Sequence, residues 1–171
     1  LVLMERASLG VFDVIKNKYS YLLKSSKKAL IVAGTGNNGA DGLVVARLLF
    51  SEGKNVDVIL TGDTSKSTDE NKLQLGIKSK IYDQSSLESE LSQYDLIVDA
   101  IFGVGLTRNL EEPYKTLIDI LNSSNAIKIA VDLPSGINAD NGQVMGNALS
   151  VDESVTFAFI KRGLLSEQAL E

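Results

Sequence analysis

The chain has 171 residues, of which 44% are hydrophobic, 23% charged and 6% aromatic, a size that suits one domain burying about 70% of its unfolded surface. Lys+Arg 17 against Asp+Glu 22 gives a net charge of −5, and an acidic chain without a basic run is a poor match to nucleic acid or an anionic membrane. With no His and no Cys, Ser-His-Asp and Cys-His nucleophilic sites, thiolate zinc sites and CxxC redox chemistry are excluded, and acid–base work at neutral pH falls to Asp, Glu, Lys or Tyr.

Apolar residues from Val2 to Ile15 recur at helical spacing and predict an amphipathic helix over 1–18. After the polar break Ser25 to Lys28, the run Ala29 to Ala33 reads as a strand buried on both faces, stopping at Gly34. A glycine loop follows, then a helix over Leu43 to Phe50 that closes at Gly53, and a strand over Asn55 to Leu60. Glu70 to Gly76 predicts a short helix, Lys80 to Tyr82 a third strand, Ser86 to Ser92 a helix and Asp95 to Ala100 a buried strand. Pro113 opens a helix that runs to Leu121. Ala126 to Val131 and Ser154 to Phe159 are the last strands, and Leu170-Glu171 reads as an expression scar outside the fold. No transmembrane run, repeat or linker interrupts this order. Alternating strands and helices predict a three-layer α/β fold, a doubly wound, mostly parallel sheet with helices on both faces. Ligands in such folds bind beyond the carboxyl ends of the strands.

Three strand ends carry the chemistry. The first, Gly34-Thr35-Gly36-Asn37-Asn38-Gly39, matches GxGxxG at a strand-to-helix turn, where backbone N–H groups can approach phosphate. No Lys-Ser/Thr follows, so it is not a Walker A loop. A tight turn with Asp41 near the helix start would give the same glycines. Adjacent Asn37 and Asn38 exceed what a cap requires and point to a ligand. Asp99 and Asp132 end two further strands, and an Asp there can simply cap a turn. Two carboxylates at one sheet edge otherwise need a cation or hydrogen bonds. Asn38, Asp99 and Ser135 with loop carbonyls would make an all-oxygen site of low charge, better suited to K⁺ than to Mg²⁺. In the second glycine loop, Gly103 to Arg108, Arg108 could meet a phosphate or stay solvated; Lys161 and Arg162 could line a pocket or be exposed.

The segments GTGNNGADG, DAIFGVGLTR and VDLPSGINADNGQ, with Leu3-Met4-Glu5-Arg6-Ala7 ahead of them, resemble the NAD(P)H-hydrate epimerase family from about Leu1 to Gly163. The resemblance implies a Rossmann-like fold and interconversion of the R and S hydrates of NADH and NADPH (NADHX and NADPHX). It implies substrate contacts from Asn37, Asn38, Gly39, Ala40 and Asp41, from Gly103, Val104, Gly105, Leu106, Thr107, Arg108 and Asn109, and from Asp132, with K⁺ held by Asn38, Asp99 and Ser135. Ala40 stands where the family usually has a second glycine, and Arg6 where it usually has Asn. The family domain starts before Leu1 and continues past the last strand, so 1–171 is read as one domain truncated at both ends. Some members carry a dehydratase domain, which makes a fused or separate NAD(P)H-hydrate dehydratase a partner. The first helix offers a contact surface for a homodimer, and the absence of Cys fits a reducing cytoplasm.

The implied chemistry suits a chain without His or Cys. The hydrate bears a hydroxyl on a carbon beside the ring nitrogen, whose lone pair can assist hydroxide loss; water then returns to either face. One positioned acid/base group suffices, and Asp132 is the candidate. Two other readings are a non-catalytic scaffold with the same pocket, and an NAD-dependent oxidoreductase with Asp63 on the ribose.

Overall fold

The computed structural model describes residues 2–63, 79–81 and 84–165. Helix α1 (Val2–Lys18) and the short α2 (Ser20–Lys24) precede β1 (Lys28–Ala33), α3 (Asn37–Ser51) and β2 (Val56–Leu60). Then come β3 (Ser79–Ile81), α4 (Gln84–Glu90), β4 (Tyr94–Ala100), α5 (Tyr114–Asn122), β5 (Ile127–Val131) and β6 (Glu153–Val155). The strands form one six-stranded sheet in the order β3-β2-β1-β4-β5-β6, and every pairing among them is parallel. This is the Rossmann order, with its switch point between β1 and β4.

Alternation within the strands builds the layers. Ala29, Ile31 and Ala33 of β1 face one core with Val11, Phe12 and Ile15 of α1 and Leu43, Ala46 and Leu49 of α3. Leu30 and Val32 face the other, with Leu87 of α4 and Leu117, Ile118 and Leu121 of α5. Both faces of the sheet are therefore covered, which is why its strands read as unbroken apolar runs. Among the described residues, no helix is long and apolar enough to cross a membrane.

The structure moves some boundaries. Helix α3 starts at Asn37, six residues before the first apolar position expected, so both asparagines lie in its first turn. The expected helix over Glu70 to Gly76, Tyr82 of the third strand and Leu170-Glu171 lie outside the described residues. Gly53 takes the expected left-handed conformation, φ +86°. Pro113 is the N-cap rather than the first residue of α5. The last strand stops at Val155, because Thr156 and Phe157 turn off the sheet to hydrogen-bond Asp132, and Ala158 follows at φ +62°. Phe159, expected in that strand, is 85% exposed.

Candidate active site

The loop after β1 and the loop after β4 part at the switch point and leave a cleft of about 460 Å³. Its glycines have three separate jobs. A Cβ at Gly34 would lie 2.1 Å from the Ile101 carbonyl oxygen, so the turn after β1 can close against β4 only without a side chain. A Cβ at Gly39 would lie 1.8 Å from the Gly34 carbonyl oxygen, which seats α3 on that turn. At Gly36, the exposed N-cap, a Cβ would meet nothing within 4 Å. Turn, open approach and helix packing are the roles of the glycines in a dinucleotide-binding turn. The N-terminus of α3 lies beside the cleft, where its dipole favours an anion.

Asp99 is fully buried near the end of β4. Its Oδ2 accepts the Ser135 N–H at 2.7 Å; its Oδ1 accepts the Ser135 hydroxyl at 2.6 Å and the Ile101 N–H at 3.2 Å. Burial pushes the carboxyl up to about 6, against the pull of those hydrogen bonds. No ion pair to Asp99 exists among the described residues. The Ser135 oxygen accepts the Phe102 N–H at 3.0 Å, and next along the chain Gly103 leaves room for Asn38, whose carboxamide a Cβ at Gly103 would meet at 3.3 Å. The buried Asn38 Nδ2 has no hydrogen-bond partner; as a donor it is left for an acceptor, and Oδ1 is the carboxamide atom that a cation would take. One carboxylate, one hydroxyl and one carboxamide linked in this way fit a single large monovalent cation. Among the described residues, no group of three or more His, Cys, Asp or Glu could hold a metal ion.

Asp132 follows β5 and is the centre of a three-residue turn, with the Leu133 N–H donating to the Val131 carbonyl at 3.0 Å. Its φ of +72° is a conformation that a non-glycine residue rarely holds, and strain of that kind concentrates at functional sites. Lys161 pairs with Asp132 Oδ1, which also accepts the Thr156 hydroxyl at 3.1 Å and the Phe157 N–H at 3.3 Å. These contacts all fall on Oδ1. Lys161, which the sequence left open between pocket and solvent, reaches the site through Asp132, while Thr156, Phe157 and Tyr114 reach it through long-range contacts that no local motif encodes.

Asn37, Asn38 and Asp41 line the cleft with Gly103, Val104, Gly105, Leu106 and Asp132. Gly39 and Ala40 are buried in α3 behind that wall, and Ala40 has no positive φ, which is why alanine is accepted there. Thr107, Arg108 and Asn109 are exposed and stand outside the described lining, as does Asp63. Helix α1 reaches the site through Ser8, which is fully buried and donates to the Met4 carbonyl at 2.9 Å and to the Asp41 carbonyl at 3.0 Å. Arg47 of α3 clasps both oxygens of Glu5 at 2.7 Å, tying the same two helices. A second groove of about 750 Å³, with Leu3, Met4 and Arg6 of α1 on one side, shares Asn37, Asp41 and Phe157 with the cleft.

The sequence model of the family described as YjeF-related protein N-terminus matches residues 1–163. The chain is 44% identical over 171 residues to the NAD(P)H-hydrate epimerase of Limosilactobacillus fermentum, covering 98% of this chain and 79% of the relative. It is 43% identical over 168 residues to that of Oenococcus oeni, covering 97% and 78%. The crystal structure of yeast YNL200c superposes with a TM-score of 0.78 at 26% identity, covering 89% of this chain and 68% of that one. Sequence match and superposed fold agree: the chain belongs to the YjeF-related protein N-terminus family.

Proposed function

We propose that this protein is an NAD(P)H-hydrate epimerase, an isomerase that interconverts the R and S hydrates of NADH and NADPH. The observation that carries the reading is one cleft lined by Asn37, Asn38 and Asp132, with the buried Asp99-Ser135 pair bonded to its wall at Phe102, in a chain whose relatives bear that name. Asn37, Asn38, Asp41, Gly103 to Leu106 and Asp132, which line the cleft, bind the substrate. The nucleotide's phosphates suit the N–H groups at the start of α3. Asp132, held by Lys161 and by a strained turn, is the candidate for proton transfer at the oxygen of the departing hydroxyl and of the returning water.

Asn38, Asp99 and Ser135 are the K⁺ ligands of this reading. A K⁺ held by Asn38, Asp99 and Ser135 would supply the positive charge that the buried Asp99 carboxylate lacks. The test is direct. The R hydrate is mixed with protein and the S form followed, with and without K⁺. Fast appearance of the S form, faster in K⁺, is expected. No gain over the spontaneous rate would overturn the reading, and hydride transfer to a panel of carbonyl substrates would replace it with the oxidoreductase alternative.

A further inference from the structure

The cleft holds a second carboxyl. Asp41, in the second turn of α3, lines both the main cleft and the adjoining groove. Its backbone carbonyl is fixed by Ser8, yet its carboxyl makes no hydrogen bond or ion pair among the described residues. Asp132 beside it has a lysine, a hydroxyl and a backbone N–H on one oxygen. Of two neighbouring carboxyls with one lysine bonded to only one of them, the unpaired one is the one placed to keep its proton.

We propose, resting on the epimerase reading, that Asp41 is the acid that protonates the departing hydroxyl, with ionised Asp132 as its basic partner. The Asp41 proton passes to the hydroxyl oxygen, the C–O bond breaks, and the ring nitrogen's lone pair forms the C=N bond of an iminium ion. Water leaves, and Asp41 is left as a carboxylate. Water then adds to the opposite face, the C=N electron pair returns to nitrogen, and the released proton returns to Asp41 directly or by way of Asp132. Nothing is oxidised or reduced.

Independent electrostatics agree. Burial first, and the charge of Asp132 second, push Asp41 up to about 7, where a carboxylic acid is present at physiological pH. The other charged or titratable groups around it are Arg6 and Glu5 of α1, Arg47 of its own helix, Lys161 beyond β6, Tyr114 of α5 and Asp99 of β4. Glu5 and Arg47 are paired with each other and Lys161 with Asp132, and Asp132 is the neighbouring charge that acts on Asp41.

The experiment compares the pH dependence of R-to-S conversion in wild type, Asp41→Asn and Asp41→Glu at one fixed K⁺ concentration. Wild-type kcat should fall as pH rises through about 7. Asp41→Asn should lose that limb and about 10²-fold in kcat with little change in KM, and Asp41→Glu should restore the limb. An Asn variant with wild-type kcat and the same alkaline limb overturns the proposal while leaving the epimerase reading intact. Wild type inert at every pH overturns both. Should the Asn variant fail to fold, carbon-13 NMR titration of wild-type aspartate carboxyls decides: Asp41 titrating near 7 supports the proposal, and titration in the ordinary carboxylate range overturns it.

Discussion

Ser135 donates twice to Asp99, from its backbone N–H at 2.7 Å and from its hydroxyl at 2.6 Å. The residues are 36 apart in sequence and both fully buried, so this pair fastens the loop after β5 to the end of β4. Replacing Ser135 by Ala removes the hydroxyl bond and leaves a buried carboxylate oxygen short of a donor. The expected cost is about 1–3 kcal/mol, which lowers Tm by roughly 2–4 °C per kcal/mol for a domain of this size. Thermal denaturation reads it, and an unchanged Tm would show that the bond contributes nothing.

Asp99 also sets a pH dependence of stability. Its carboxyl is raised from 3.8 to about 6 when folded, so the native protein holds that proton more tightly than the unfolded chain. The contribution is full below 3.8 and is lost as pH rises through about 6. A shift of that size is on the order of 3 kcal/mol. In K⁺-free buffer the urea midpoint should fall across this window in wild type and much less in Asp99→Asn. Adding K⁺ above the window should recover part of the loss in wild type only. Equal recovery in both proteins would place the cation elsewhere.

Gly36 and Gly39 belong to one motif but predict opposite results. A Cβ at Gly39 would lie 1.8 Å from a backbone oxygen, so Gly39→Ala should destabilise by about 3 kcal/mol or more. Gly36→Ala meets open space at a φ of −91° and should change stability by less than about 0.5 kcal/mol. If the nucleotide's backbone passes over Gly36, the same variant raises KM. Chemical denaturation and steady-state kinetics on the two variants separate packing from ligand approach.

Lys161 holds Asp132 from 29 residues away. Asp132→Asn should lower kcat by about 10²–10⁴-fold. Lys161→Met should lower it less, and the double variant should be no worse than Asp132→Asn alone, because the lysine acts through the aspartate. Additive losses in this cycle would assign Lys161 a separate role on the substrate.

The layered fold was legible because period and composition report local physics. The runs Ala29 to Ala33, Asp95 to Ala100 and Ala126 to Val131 are apolar on both faces, as strands covered on both sides must be. The short last strand was misread, since the alternation in Ser154 to Phe159 does not reveal that Thr156 and Phe157 leave the sheet for Asp132. The α3 start was misplaced because asparagine and glycine are poor helix formers, and here they begin a helix only because glycine lets the turn pack against Ile101 and Gly34.

By itself the sequence determined which chemistry was open: without His or Cys, oxygen donors and carboxyl acids remained, and three strand ends carried them. Tertiary structure alone decided how those groups are charged. Lys161 falls on Asp132 and not on Asp41, and Asp99 is sealed against Ser135 with no cation of its own among the described residues. Charge state depends on burial and on the nearest opposite charge, and both are set by contacts between residues far apart in the chain.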